Sequence, residues 1–379
     1  MISSPTDITA GDVAEPIAVT PPPAPGQTVA GTLRHANRSA RWQVLGWLVL
    51  AVAGLGAPWL ISLYQLQLAQ QAMVMGLLAL SIGWLLRQTG QLSFGHAAFY
   101  GIAGYGTAYV AQHADLPIGL TLLAGIGGGT VAALVVGLVT IRVPGIAFAM
   151  LTLAIGMLAW VAGGQLHSIT RGADGLNVQL EGSLLGKDVV MYGNPVEAWP
   201  LVWGVLMITM AALWVLSRTM WGRRLASIRD NEERMRFSGY ATYWPRVVAF
   251  TVSGLVASIA GSLNLVTTSF ISLTALFWST SGLALIVAVI GGVRSVLGPP
   301  LGAVLFILLQ NYLAGSGNHY QAVLGVVLIV VVLVAPGGCV EILERGFTAV
   351  TSRLRARRDT PDSSTVPHST RGGRRAETR

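Results

Sequence analysis

The chain has 379 residues and carries 24 Lys and Arg against 16 Asp and Glu, a formal net charge of +8. Only 11% of its residues are charged and 53% are hydrophobic, whereas a soluble domain carries about 25% charged residues. Together with repeated long apolar runs, this balance excludes a soluble enzyme, a fibrous protein and a disordered chain, and it predicts an all-α polytopic membrane protein. The single cysteine, Cys339, excludes an internal disulfide and a Cys-rich metal site.

The two ends of the chain are polar tails. Residues 1–41 are rich in proline, with Pro-Pro-Pro-Ala-Pro at 21–25, and a segment of this composition does not bury a core. We expect a disordered cytoplasmic tail there, without a cleaved signal peptide because no apolar run lies near Met1. Residues 337–379 are basic, and we expect a cytoplasmic tail near anionic lipid rather than a nucleic-acid partner.

Apolar runs recur along the rest of the chain, and a helix needs about 20 such residues to cross a bilayer. The predicted spans are 44–64, 69–87, 91–112, 118–141, 145–166, 198–217 and 247–268, with shorter pieces at 281–293, 299–314 and 320–335. Pieces this short cross only with tilt or thinning, and Gly298 and Pro299 interrupt the pattern, so we expect broken or re-entrant segments there. The transmembrane domain is therefore predicted at 42–336, with about ten helices, or eight if the last pieces are re-entrant.

The arginines set the expected orientation, because basic residues beside short loops stay cytoplasmic. Arg residues precede the first span and follow the last, which puts both termini inside. Ten crossings then put the loop 218–246 inside and the loop 167–197 outside. The outer loop carries four acidic residues and only two basic residues, Arg171 and Lys187. No Asp, Glu, Lys or Arg lies mid-span, which weakens a stand-alone secondary transporter without excluding it.

A glycine-rich segment runs from Gly90 to Tyr105. Its small residues allow close helix approach and a break in the helix. Two interpretations of its polar side chains, Gln91, Ser93 and His96, stay open: a polar route through the bundle, or packing with bonds to neighbouring backbone.

The spacing of Gly90 and Gly95 resembles a phosphate loop. His96 stands where such a loop needs Lys, and Ala97 where it needs Ser or Thr. We therefore expect no ATP site. Ser316 near His319 suggests a turn rather than a catalytic pair, so no enzyme is predicted either.

The loop 218–246 carries seven Arg and three acidic residues. Trp221, Leu225 and Ile228 recur at i, i+4 and i+7, which predicts one face of a short helix ended by Gly239. Three supporting i, i+4 ion pairs are expected: Arg229–Glu233, Asp230–Arg234 and Glu232–Arg236. The helix either docks a partner protein or lies on lipid head groups.

The predicted span 247–268 holds Gly254, Ser258 and Ser262 at the spacing of a helix-packing face. Asn264 lies near its outer end. It either faces substrate or caps a neighbouring helix.

These motifs together resemble the permease subunits of bacterial ABC importers for branched-chain amino acids, the Liv-type family. The resemblance covers about residues 44–336. Four segments carry it, in the family's order: residues 90–105, the outer loop Thr170-Arg-Gly-Ala-Asp-Gly-Leu176, the coupling loop from Gly222 to Gly239, and Gly291-Gly292 followed by Gly298-Pro299. The chain departs from the family pattern at Arg234 and Met235, where small residues are usual, and at Arg171, where Gly is usual.

The resemblance implies half of a membrane channel in the bacterial cytoplasmic (inner) membrane. It implies two cytoplasmic ATPase subunits, a second homologous permease subunit or a second copy of this chain, and an extracytoplasmic binding protein. ATP and Mg would be bound by the ATPase partners, so this chain would hold no cofactor or metal and would not be an enzyme. Relatives with these motifs are also similar to permeases for urea, short amides or aromatic acids, which leaves those substrates as alternatives.

The resemblance and the patterns assign three groups of residues. The ATPase-coupling loop is Gly222, Leu225, Ile228, Arg229, Asp230, Glu232 and Gly239. The candidate translocation path is Gln91, Ser93, His96 and Asn264. The structural breaks are Gly90, Gly95, Gly291, Gly292, Gly298 and Pro299.

Overall fold

The computed structural model describes residue 52, residues 54–114, 116–180, 182–184 and 186–314, and positions 325, 326, 329 and 338. The predicted tail at 1–41 and nearly all of the tail at 337–379 lie outside the described residues. The same holds for the Ser316 turn and for most of the predicted span at 320–335.

Helix dominates the described chain. In chain order the helices are α1 (Ala57–Leu60), α2 (Leu63–Thr89), α3 (His96–His113), α4 (Ile118–Thr140), α5 (Gly145–Gln165), α6 (His167–Thr170), α7 (Pro195–Arg218), α8 (Met220–Asp230), α9 (Glu232–Phe237), α10 (Tyr243–Thr268), α11 (Trp278–Gly291) and α12 (Gly298–Ala314). Four two-residue strands are β1 (Leu176–Asn177), β2 (Ser183–Leu184), β3 (Lys187–Asp188) and β4 (Phe270–Ile271). Antiparallel pairs form between β1 and β4 and between β2 and β3.

Five of the described helices are long and apolar enough to cross a membrane: α2, α4, α5, α7 and α10. They match the predicted spans at 69–87, 118–141, 145–166, 198–217 and 247–268, so the polytopic helical class is supported. α11 and α12 are shorter apolar helices, as the predicted short pieces required. The total of eight to ten crossings stays a prediction.

Two predicted spans begin or end in the wrong place. The span 44–64 is interrupted, because α1 ends at Leu60 and Ser62 starts a new helix through a capping box with Gln65. The span 91–112 becomes helical only at His96. Gly90 has φ +71° and ends α2 in the left-handed region, where glycine is the favoured residue.

α2 forms the centre of the bundle and contacts α7, α8, α10, α11 and α12. Its glycines allow the close approach of α12: a Cβ on Gly76 would lie 3.0 Å from Pro300 Cα, and one on Gly83 would lie 3.0 Å from Pro299 Cγ. Pro299 stands in the first turn of α12, where proline is tolerated because that N–H has no helical partner. The predicted proline break is therefore the start of a helix packed on α2.

α11 and α12 cross at three glycines. A Cβ on Gly291 would overlap the carbonyl oxygen of Gly298, and one on Gly302 would overlap that of Val287. Gly292, with φ +103°, ends α11. These predicted glycine breaks thus allow two short helices to pack backbone against backbone.

α4 and α5 border the bundle. In each of them about 22% of an 18-residue apolar stretch is buried inside the bundle, whereas in α2 the buried share is 78%. Most of their apolar surface is therefore left for lipid or for another subunit.

The two ends of the bundle differ. One, called here the sheet end, carries α6 and the four strands; the other, the elbow end, carries α8 and α9. At the sheet end Leu176 pairs with Ile271 across β1 and β4, and both are buried in an apolar cluster with Leu276. Lys187 forms an ion pair with Glu197 at the start of α7, and that carboxylate raises the pKa of Lys187 through a hydrogen bond and its charge.

Candidate functional site

Residues 219–242 join α7 to α10 and are called here the elbow. Thr219 starts α8, because its Oγ1 accepts a hydrogen bond from the Gly222 N–H at 3.3 Å. A Cβ on Gly222 would lie 2.6 Å from the carbonyl oxygens of Leu216 and Ser217. The reversal of the chain after α7 therefore requires glycine at this predicted coupling position.

The predicted apolar face of α8 packs on α2. Leu225 and Ile228 are buried, and Trp221 stacks on Trp84 of α2 with ring centroids 6.2 Å apart. Trp84 also donates from Nε1 to Ser217 Oγ at 2.9 Å, beside the start of the elbow. The face that periodicity predicted is confirmed.

Arg229 joins the elbow to the end of α2. Its Nη1 donates to the main-chain carbonyl oxygen of Arg87 at 2.6 Å, and its Nη2 pairs with Asp230 Oδ1 at 2.9 Å. The last carbonyls of a helix lack helical partners and favour a nearby cation. The predicted pair of Arg229 with Glu233 is wrong, because the guanidinium reaches α2 and the adjacent aspartate instead.

The single helix predicted in this loop is two helices. Asn231 separates them, and its Oδ1 accepts a hydrogen bond from the Arg234 N–H at 2.8 Å, which starts α9. The break moves Asp230 away from Arg234, so that predicted pair does not form. Gly239, with φ +80°, follows α9, which confirms it as the terminating residue.

Glu232 holds the other end of the elbow. Its carboxylate lies 2.7 Å from Arg246 Nη1 in the first turn of α10 and 3.4 Å from Arg236, and it accepts a hydrogen bond from Thr242 Oγ1 at 3.1 Å. The pair with Arg236 is the one predicted i, i+4 pair that forms. The elbow is thus attached to α2 by Arg229 and to α10 by Glu232.

The opposite face of the elbow is basic and exposed. Arg223, Arg224 and Arg234 are exposed there, and Phe237 is 85% exposed. A large apolar side chain beside several cations suits an acidic protein surface with an apolar pocket.

His96 lies in a hydrogen-bonded cluster between α2, α3 and α10, called here the buried seam. Its Nε2 lies 2.6 Å from Ser253 Oγ and its Nδ1 lies 3.1 Å from Ser93 Oγ. Ser253 Oγ donates to the carbonyl oxygen of Ser81 at 2.7 Å. Because that bond uses the hydroxyl proton of Ser253, Nε2 of His96 carries the ring proton and Nδ1 accepts from Ser93.

The non-helical segment before α3 is held on its other side by α5. The Phe94 N–H donates to Thr152 Oγ1 at 3.2 Å, and a Cβ on Gly95 would lie 3.0 Å from the carbonyl oxygen of Thr152. The Ala97 N–H, in the first turn of α3, donates to Ser281 Oγ of α11 at 2.7 Å. Gly95 is therefore needed for close packing at the start of α3.

The four predicted path residues do not come together. Ser93 and His96 are fully buried in the seam, which favours the packing interpretation for them. Gln91 is also buried, and its amide atoms have no hydrogen-bond partner in the described part of the chain. Asn264 lines a separate cleft at the sheet end, and a role for any of the four in translocation stays a prediction.

Sequence reasoning missed the partners that complete these contacts. Arg87, Ser253 and Ser281 belong to apolar or mixed helices and stand 142, 157 and 184 residues from the groups they bind. No local spacing signals such contacts. Within the described residues, no group of three or more His, Cys, Asp or Glu is placed to hold a metal ion.

Comparison with known proteins identifies a family match over most of the chain. A family model described as "Branched-chain amino acid transport system / permease component" matches residues 64–333. The chain is 24% identical over 316 residues to the high-affinity branched-chain amino acid transport system permease protein LivM of Salmonella typhimurium (strain LT2), covering 78% of this chain and 73% of that protein. It is 23% identical over 312 residues to LivM of Escherichia coli (strain K12), covering 77% and 72%.

A shorter part of the chain is similar to other import permeases. It is 32% identical over 142 residues to the autoinducer 2 import system permease protein LsrC of Klebsiella pneumoniae, covering 37% of this chain and 36% of that protein. No solved structure matches.

Proposed function

We propose that this chain, which belongs to the branched-chain amino acid transport permease family, moves branched-chain amino acids across the cytoplasmic membrane of a bacterium. The chain is a permease of the ABC importer type. In the proposed assembly, two ATPase subunits bind at the elbow end, which faces the cytoplasm. A second permease subunit or second copy completes the channel, and a binding protein delivers the substrate at the sheet end.

The elbow is the observation that carries this proposal. Its apolar face packs on α2, Arg229 and Glu232 attach it to two long helices, and its basic face is left exposed. A displacement of the elbow by a bound ATPase subunit would therefore move α2 and α10. ATP binding by the partners drives transport only if it favours one access state of the channel over another. The elbow, attached to two long helices, would connect the bound ATPase mechanically to the channel.

The amino-acid substrate rests on the two LivM relatives, which match about three quarters of the chain. A second candidate substrate class, small sugars and sugar-like molecules, is favoured by shorter matches. These are the autoinducer 2 permease and the ribose import permease RbsC of Escherichia coli (strain K12), which is 28% identical over 150 residues. The two classes differ in charge, because an amino acid is a zwitterion and ribose is uncharged.

Uptake measurements distinguish these candidates. The full chain is produced together with its cognate ATPase, second-permease and binding-protein subunits, and uptake of radiolabelled leucine and ribose is followed in intact cells. We expect leucine uptake that disappears when the phosphate-loop lysine of the ATPase is replaced. Leucine uptake driven by an ion gradient without the ATPase, or uptake of ribose alone, would overturn the proposal.

ATPase docking at the elbow is tested by charge reversal. The double variant Arg223→Glu, Arg224→Glu should lose co-purification with the ATPase, because it reverses the exposed basic face. Arg142→Glu reverses a single exposed charge between α4 and α5, outside the elbow, and should retain co-purification with the ATPase. Normal ATPase binding by the double variant would place the docking surface elsewhere.

A further inference from the structure

A small cleft opens at the sheet end, where the chain between α10 and α11 forms β4 and a short 3-10 helix (Leu273–Leu276) in place of an α-helix. The cleft has a volume of about 230 Å³. Its lining residues are Tyr100, Asn264, Thr268, Phe270, Ile271, Ser272, Thr274, Ala275 and Thr280. Irregular backbone in a membrane protein is tolerated where it is covered by protein or lines a water-filled cavity, and five residues of this segment, between 270 and 275, line the cleft.

Most hydroxyl groups of this lining are already bonded to the protein. Thr268 Oγ1 donates to the carbonyl oxygen of Asn264 at 2.7 Å, and Thr280 Oγ1 donates to that of Thr274 at 2.8 Å. Ser272 and Thr274 share a hydrogen bond of 2.7 Å. These contacts hold the wall of the cleft in shape.

Two polar side chains of the lining have no hydrogen-bond partner in the part of the chain that the structure describes. These are the carboxamide of Asn264 and the hydroxyl of Tyr100, although Tyr100 is only 9% exposed. A Cβ on Gly261 would overlap the carbonyl oxygen of Tyr100, so α3 and α10 are in backbone contact there and fix the position of Tyr100. Together the two groups offer three N–H or O–H donors and two acceptor oxygens.

The size and charge of the cleft restrict what it can hold. About 230 Å³ is below the range of about 300–1,000 Å³ of drug-sized ligand sites, so the occupant is a small solute. None of the described lining residues is charged, so an ion with net charge would lose its hydration without a counter-charge. Phe270, which is 38% exposed, and Ala275 add an apolar portion beside the polar groups.

We infer that this cleft is a transient substrate site in which the Asn264 carboxamide and the Tyr100 hydroxyl bind the carboxylate and ammonium groups of a zwitterionic amino acid, with its aliphatic side chain against Phe270 and Ala275. The inference rests on the proposed function for its substrate class. Neutral donors hold a carboxylate less tightly than an arginine does. A channel needs such weak binding, because the solute must leave as readily as it enters.

The site is tested by thiol labelling with substrate protection. Ser272, in the cleft wall, is replaced by Cys in a Cys339→Ser background, and right-side-out vesicles containing the full chain are treated with a membrane-impermeant thiol reagent. We expect millimolar leucine to slow the labelling of Ser272→Cys. The control Asn177→Cys, exposed in β1 outside the cleft, should react at the same rate with or without leucine.

Two further variants in the Ser272→Cys background identify the binding groups. Asn264→Ala and Tyr100→Phe should each raise the half-protecting leucine concentration about tenfold, the loss expected for one hydrogen bond to a charged group. Tyr105→Phe, a matched change on the same helix outside the cleft lining, should leave that concentration unchanged.

The outcomes separate the two proposals. Unchanged labelling with leucine, or equal protection at Ser272→Cys and Asn177→Cys, would overturn the site. Protection by ribose but not by leucine would overturn the assigned chemistry. Absence of ATP-driven leucine uptake by the parent assembly would overturn the proposed function instead, and it is measured independently of labelling.

Discussion

Arg229 Nη1 donates a hydrogen bond of 2.6 Å to the main-chain carbonyl oxygen of Arg87, 142 residues earlier in the chain. The bond joins the last turn of the elbow helix α8 to the last turn of α2. Since α2 is the central helix of the bundle, a displacement of the elbow reaches the core through this contact.

Replacing Arg229 should separate ATP hydrolysis from transport. Arg229→Ala removes the bond to Arg87 and leaves the exposed basic face in place, so we expect ATPase binding to persist while leucine uptake falls several-fold. Arg229→Lys keeps the charge but loses the planar guanidinium group. Its leucine uptake should lie between that of the parent protein and that of Arg229→Ala. Normal uptake by Arg229→Ala at equal protein level would show that this contact does not couple the subunits.

Gly90→Ala should destabilise the folded protein by about 1–2 kcal/mol, the cost of left-handed backbone for an L-residue. The new Cβ would also lie 3.0 Å from Arg229 Cγ. Thermal unfolding of the detergent-purified full chain measures the change. Gly128→Ala is the control, because its Cβ would have no heavy atom within 4 Å; an equal effect of the two changes would contradict the explanation.

Ser253→Ala tests the buried seam. It removes the acceptor of the His96 Nε2 proton and the donor to the Ser81 carbonyl, and a buried polar group without a partner costs about 1–3 kcal/mol. Ser258→Ala in the same helix removes only a local bond to the Gly254 carbonyl and should cost less. If the melting temperatures of the two variants agree, His96 finds another partner and the seam is less constrained than its geometry indicates.

Arg171→Gly should stabilise the protein. Arg171 has φ +55°, in the left-handed region that glycine adopts without a steric cost, and the expected gain is up to about 1 kcal/mol. Chemical or thermal unfolding of the purified variant measures it. A lower melting temperature would mean that the Arg171 side chain makes a contact worth more than the backbone strain.

Hydropathy and periodicity were sufficient for the parts of this molecule that depend on local sequence. Apolar runs located α4 and α5 to within a residue or two, and the recurrence of Leu225 and Ile228 identified the buried face of α8. These patterns work because a span or a helix face is determined by burial of its own side chains.

The same patterns failed where contacts between distant segments decide the structure. The non-helical residues 90–95 contain no proline, and they are held by Thr152 and by the tight approach at Gly95. The expected ion pair between Asp230 and Arg234 does not form, because Asn231 ends one helix and caps the next. The cleft could not be predicted at all, because Asn264 and Tyr100 belong to different helices and have no shared spacing.

The ion pair at the sheet end has a practical consequence, because Lys187 is the only lysine in the chain. Its amine is therefore the single lysine target for an amine-directed reagent, so an impermeant biotin ester applied to intact cells would report on which side of the bilayer this end lies. Such esters attack only the unprotonated amine. Since Glu197 raises the pKa of Lys187, its biotinylation should accelerate with rising pH and should be faster in Glu197→Gln.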